Sequence, residues 1–149
     1  MALRPTHSPS GRSVLSGPAR TTTAVTVSIA RDPALVRTVR LVAAAVARRT
    51  TGDEDFVEEI RLAVGEACAL LVGPEGDRGA STGPVLVSMR IEDRLRVAVR
   101  AAGSVAGQDP PSSDIDGVEP WALLRGLIDD FGIVMDADGT TLSMSWPLR

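Results

Sequence analysis

The chain of 149 residues contains no asparagine, no lysine and no tyrosine, and it has a single cysteine and a single histidine. Each scarcity closes off some chemistry. Cys68 has no second cysteine with which to form an internal disulfide, and its position in an apolar helical run reads as a small core side chain. His7 lies in a segment without apolar periodicity, so histidine acid–base catalysis and a histidine-ligated metal are both excluded as leading readings. All 16 basic residues are arginine, which points to a GC-rich coding sequence more than to any binding chemistry. No apolar run approaches the ~20 residues that cross a bilayer, and the first residues lack the continuous apolar stretch of a secretory leader. The chain is therefore expected in the cytoplasm.

The apolar content is 44% with a mean hydropathy of +0.10, which suits one globular domain with a proper core. Residues 1–23 are rich in Ser, Pro, Thr, Gly and Arg and read as a disordered N-terminal tail, leaving 24–149 as the domain. The tail carries three arginines and no acid, so the domain holds 13 basic residues against 19 acidic ones. An acidic domain argues against nucleic acid as the main partner, because duplex binding needs a concentrated basic face to displace counterions. A partner with a basic surface fits better.

Hydrophobic periodicity divides the domain into elements. Ala24 to Ala30 alternates and is rich in β-branched residues, which predicts a strand. Asp32-Pro33 then supplies an N-cap and a first-turn proline for a helix with Leu35, Val36, Val39, Val42, Ala43 and Val46 on one side, closed by Gly52. Asp53, Glu54 and Asp55 place negative charge at the start of a second helix running to about Val72. A Gly-rich loop, Gly73 to Gly83, leads to Pro84–Ile91 and Leu95–Ala101, two alternating runs that predict an antiparallel hairpin. After a long polar loop, Ala102 to Val118, Glu119-Pro120-Trp121 opens a third helix expected to reach about Asp130. Trp121, Leu124, Leu127, Ile128 and Phe131 form its expected buried side. Phe131–Met135 and Thr140–Trp146 flank Asp136-Ala137-Asp138-Gly139, a tight-turn sequence. The order β, α, α, β, β, α, β, β predicts an α+β two-layer sandwich, a mixed and mainly antiparallel sheet with helices on one face.

One residue in the second helix stands out. From Leu62 to Val72 only Glu66 is ionisable, and a carboxylate amid so much apolar surface is costly unless paired, neutralised or used. Helical spacing puts Leu62, Glu66 and Leu70 on one face, opposite a core stripe of Val57, Ile60, Val64, Cys68 and Leu71. The run Leu62-Ala63-Val64-Gly65-Glu66-Ala67-Cys68, with Val72 four residues on, resembles the N-box helix of RsbW-type anti-sigma factors, which have the GHKL (histidine kinase-like, Bergerat-type) ATPase fold. The resemblance covers residues 24 to 148, and it implies that Glu66 stands at the position of the family's general base.

The same resemblance exposes departures. The family's magnesium-binding Asn falls at Leu70, and no Asn exists elsewhere to take its place. Val97-Ala98-Val99-Arg100-Ala101-Ala102-Gly103 matches the strand-to-turn motif with Ala101 at the adenine-binding Asp, so Gly103 alone remains of it. Val118, Glu119 and Pro120 occupy phosphate-cradling glycine positions, and Pro offers no backbone N–H. Leu127-Ile128-Asp129 keeps the end of the motif's helix. Two readings of Glu66 stay open: a vestigial carboxylate, neutralised by an arginine or facing a solvent-filled relic of the pocket, or a retained catalytic group. The resemblance implies a cytoplasmic, dimeric anti-sigma regulator of a stress or developmental sigma factor, released by a competing anti-anti-sigma protein with a STAS domain. It carries no metal ligand and needs no cofactor in this reading. The alternative is an active serine/threonine-protein kinase that uses ATP and Mg to phosphorylate that STAS protein.

Overall fold

A computed structural model describes residues 22–73, 83–102, 124, 126 and 128–149. Its elements are β1 (Thr23–Ile29), α1 (Val36–Ala47), α2 (Glu54–Val72), β2 (Val85–Ile91), β3 (Arg94–Ala102), β4 (Asp130–Asp136) and β5 (Gly139–Pro147). The strands form one sheet in the order β1-β2-β3-β5-β4, and every pairing is antiparallel. Among the described residues the sheet is antiparallel throughout, in keeping with the mainly antiparallel sheet expected. This follows from its connections: β2 to β3 and β4 to β5 are hairpins, the second closed by Ala137-Asp138.

Local chemistry sets the helix starts. The Asp32 carboxylate accepts from the Ala34 N–H at 2.9 Å and begins a 3₁₀ turn, Pro33–Leu35, that runs into α1. Asp53 caps α2, accepting from the N–H groups of Asp55 and Phe56. Gly73 ends α2 at φ +77°, where its N–H returns to the Ala69 carbonyl.

Register turns the alternating strand patterns into rows across the sheet. Val27, Val87, Val99, Leu142 and Ile133 form one row, and Val25, Met89, Val97, Met144 and Phe131 form the next. Both helices lie over this face. From α2 come Phe56, Val57, Ile60, Ala63, Val64, Ala67 and Cys68, and from α1 Val39, Ala43, Val46 and Ala47, all buried. Burying one Val- or Leu-sized side chain contributes roughly 1.5–3 kcal/mol, so this single layer dominates stability. The core stripe expected for the second helix is the one observed, while Leu62 is exposed and Glu66 and Leu70 are half-buried.

At the third expected helix, Leu124 and Gly126 have helical backbone and the Ile128 N–H donates to the Leu124 carbonyl at 3.1 Å. Leu124 and Ile128 are buried as expected; Trp121 and Leu127 lie outside the described residues. The helix does not reach Asp130, which already begins β4: Asp130 pairs with Ser145 and accepts its hydroxyl at 2.8 Å, so pairing with β5 takes the residue. The tail through residue 21 and most of both long loops also lie outside the described residues. Among the described residues no helix is long and apolar enough to cross a membrane.

Candidate functional site

The seam between α1 and α2 carries the candidate site. Glu66 projects from α2 toward α1, where Arg40 Nη2 donates to its Oε1 at 3.4 Å. The two side chains are 36% and 42% exposed, so the pair lies at the mouth of the seam and not inside the core. Gly65 makes the approach feasible: a Cβ there would run into Nε, Cγ and Cδ of Arg40. The arginine lies flat across the bare backbone, and its Nε is buried without a hydrogen-bond partner. An orphaned donor of this kind costs on the order of 1–3 kcal/mol, offset here by packing of the arginine's methylene stem.

Further along the seam, Arg48 reaches Glu54 with two donors at 3.3 and 3.1 Å, and this hydrogen bonding holds the Glu54 carboxyl below its usual range. Arg61 does the same for Glu58 one turn away. Arg40 of α1 and Arg48 just past its end thus answer Glu66 and Glu54 of α2, while the Arg61–Glu58 pair lies within α2. Cys68, two residues beyond Glu66 and on the buried side, has its thiol pushed up to about 11 by burial and is not a nucleophile near neutral pH.

A second arginine organises the opposite end of α2. Arg31, just after β1, donates to three carbonyls: Ala102 at 2.7 Å, Gly83 at 2.9 Å and Leu71 at 3.5 Å. It ties the C-terminal turn of α2 to the end of β3 and the entry to β2. Carbonyls at a helix C-terminus lack intrahelical donors, and one guanidinium satisfies a helix carbonyl and two strand-end carbonyls together.

Of the residues singled out from sequence, Glu66 faces Arg40, Leu70 packs against the core, and Ala101 is fully buried on β3 between Val85 and Thr140. Gly103, Val118, Glu119, Pro120 and His7 lie outside the described residues. Sequence reasoning missed Arg31, Arg40 and the role of Gly65. The partners of Arg31 lie 40 to 71 residues away and leave no local signal. A glycine inside a helical pattern is such a signal, since it marks close approach.

Magnesium prefers several oxygen ligands in near-octahedral array. Glu66 is the one oxygen donor among the three motif positions described, it is engaged by a guanidinium, and Leu70 and Ala101 add none. No group of three or more His, Cys, Asp or Glu side chains suited to a metal exists among the described residues. The described motif positions therefore offer one side-chain oxygen donor, the Glu66 carboxylate.

A sequence model of the histidine kinase-like ATPase domain matches residues 29–146. No curated protein matches this chain in sequence. Among solved structures, the chain resembles the RsbU and RsbW domains of Rv1364c from Mycobacterium tuberculosis, with a TM-score of 0.62 and 17% identity. That match covers 85% of this chain and 32% of the other, so the present chain spans about a third of that structure's length. The likeness establishes the fold.

Proposed function

The chain belongs to the histidine kinase-like ATPase domain family, and from that premise we propose that it is an anti-sigma regulatory domain that sequesters an alternative sigma factor by protein binding, without ATP-dependent kinase activity. The observation that carries this reading is the Arg40–Glu66 pair. In an ATPase of this fold the carboxylate must be free to act as a base beside a metal-bound phosphate. Here its neighbour is a cation supplied by the protein itself, and Leu70 and Ala101 stand where a metal ligand and an adenine anchor belong. Each lost charged or multiply bonded contact removes about 1.5–3 kcal/mol of ligand affinity. The acidic domain suits a basic protein surface as target, and the RsbW likeness supports a partner from sigma-factor control, with a STAS-domain anti-anti-sigma protein as the competitor that releases it.

One observation favours the kinase alternative: Glu66 is 42% exposed and so within reach of a ligand. Isothermal titration with ATP and magnesium, run beside a Glu66→Ala variant, separates the two. No heat at millimolar nucleotide is the expected result. Micromolar binding altered by the variant would restore the kinase. Sigma-factor capture is tested separately by affinity purification from the native cell, where absence of any sigma factor sinks the anti-sigma reading.

A further inference from the structure

The sheet has two edges, and they are built differently. At one, β1 exposes Ala24, Thr26 and Ser28 and turns Val25, Val27 and Ile29 toward the core, which leaves little apolar surface for a neighbour to grip. At the other, β4 pairs only with β5, in an unbroken register of seven residues. Among the described residues no strand lies on its outer side, and no backbone group of Gly132, Ile133, Val134 or Met135 bonds outside the sheet. Proteins usually blunt such an edge with lysine, proline or a bulge, because its N–H and C=O groups are a template for another strand. β4 has none of these. It exposes Val134 at 58% and Met135 at 48%, and as neighbours on a strand these point to opposite faces, so both sides of the edge carry apolar surface. Charge along the edge has one sign: Asp129, Asp130, Asp136 and Asp138 lie within residues 129–138, which hold no basic side chain. Asp130 Oδ2 accepts from the Ser145 hydroxyl and Asp136 Oδ1 from the N–H groups of Asp138 and Gly139, which leaves each carboxylate a second oxygen without a partner among the described residues. Arg94 reaches Asp130 only through Ser145.

We propose that the outer edge of β4 takes up an extended, basic segment of a partner protein as an added strand of the sheet. Main-chain hydrogen bonds hold such a strand, and its alternate side chains select it. Register sets the pattern. Residues opposite Asp130 and Asp136 are lysine or arginine, and those opposite Ile133, Val134 and Met135 are β-branched or aromatic, because each cross-strand pair then joins opposite charges or two apolar groups. A second copy of β4 does not meet this pattern, since antiparallel pairing about Ile133 sets Asp130 against the partner subunit's Asp136. The proposal rests on the functional reading only for the basic character of the target; it adds the surface used and the conformation of the bound segment.

Isothermal titration of the full chain with a synthetic peptide tests it. The peptide has seven residues to match β4, with lysine at both ends, valine opposite Ile133, Val134 and Met135, and threonine elsewhere. Saturable one-to-one binding is expected, with slower amide exchange at the alternate residues of β4 whose N–H groups point away from β5. The same peptide methylated on its backbone amides keeps its charge but cannot pair, and it is expected to bind about 10-fold or more weakly. Val134→Lys, at an exposed site outside the core, is expected to weaken binding of the unmethylated peptide by a similar factor, since it sets lysine on the edge against a basic strand. No saturation at millimolar peptide overturns the proposal. So does equal binding of the methylated peptide, which is attraction by charge alone, or binding that leaves Val134→Lys unaffected or amide exchange along β4 unchanged. Nucleotide binding, or absence of a sigma factor from the native complex, bears on the functional reading alone.

Discussion

The two faces of the sheet are made from the same five strands and follow opposite rules. Toward the helices, the two central rows are filled by Val, Leu, Ile, Met and Phe that pack into the core with α1 and α2. Away from them, the alternate residues are mostly Ser, Thr, Ala, Gly, Arg and Asp, with Leu86 and Val134 as exposed apolar exceptions. Antiparallel sheets permit this division because successive side chains point to opposite faces. Stability therefore resides mainly in the face that the helices cover. Neighbouring residues on one strand should then respond differently to the same change.

The sharpest test uses adjacent positions on β3. Val99→Asp would bury a charge with no partner at a site of 0% exposure, and it is expected to cost more than about 4 kcal/mol, enough to unfold the domain. Ala98→Asp, one residue away on the open face, is expected to cost about 1 kcal/mol, the span of strand propensity. Urea unfolding followed by circular dichroism measures both. Equal losses would mean that the open face is covered after all.

The turn between β4 and β5 comes next in size. Gly139 has φ +148°, a conformation L-residues rarely adopt, and a Cβ there would collide with the Ala101 carbonyl on β3. Gly139→Val is expected to cost about 3 kcal/mol and to loosen the β3–β5 pairing, visible as faster amide exchange at Ala101 and Ala102. Wild-type exchange rates in the variant would show that the hairpin can move away from β3 without loss.

The sequence carried this fold because strands that are apolar on one face print their period directly into the residue order. Val25, Val27 and Ile29, or Val97, Val99 and Ala101, are legible without any structure. So was the core stripe of the second helix, since a 3.6-residue period leaves little choice of face. The end of the third helix was not legible: apolar spacing continues through Phe131, but Asp130 is taken by its pairing with Ser145 on β5. The site was half legible. Glu66 announced itself as a lone carboxylate, whereas its counter-ion Arg40 lies 26 residues away on another helix, and nothing local marks which of α1's arginines will reach it.

Alkaline pH probes the covered face through Cys68. Its thiol titrates at about 11 when folded against 9.0 for the free group, because burial disfavours the thiolate. The unfolded chain loses this proton first, so stability is constant below about pH 9 and falls as pH rises from 9 toward 11, by at most about 2–3 kcal/mol. Urea midpoints between pH 8 and 11 are expected to show the fall, and Cys68→Ala to remove that component. A flat wild-type profile would place solvent beside the thiol.

The smallest effect is expected at Glu66 and extends the comparison to the outer surface of the helix layer. If the Arg40–Glu66 pair were a structural element like the covered face, Glu66→Gln would leave a buried guanidinium uncompensated and cost 3 kcal/mol or more. The geometry predicts otherwise. The contact is a single one of 3.4 Å between side chains 36% and 42% exposed, so water replaces the lost carboxylate charge and the pair behaves as a surface ion pair. The orphaned Arg40 Nε is buried against Gly65 in both proteins and cancels in the difference. Glu66→Gln is therefore expected to change stability by less than about 1 kcal/mol, and by less again in 1 M salt, where exposed pairs are screened. A loss above 2 kcal/mol would assign the carboxylate to the core and end its reading as a group open to solvent and ligand. A loss within the expected range leaves folding with little reason to keep an acid there, and the titration with ATP and magnesium then asks whether chemistry has one.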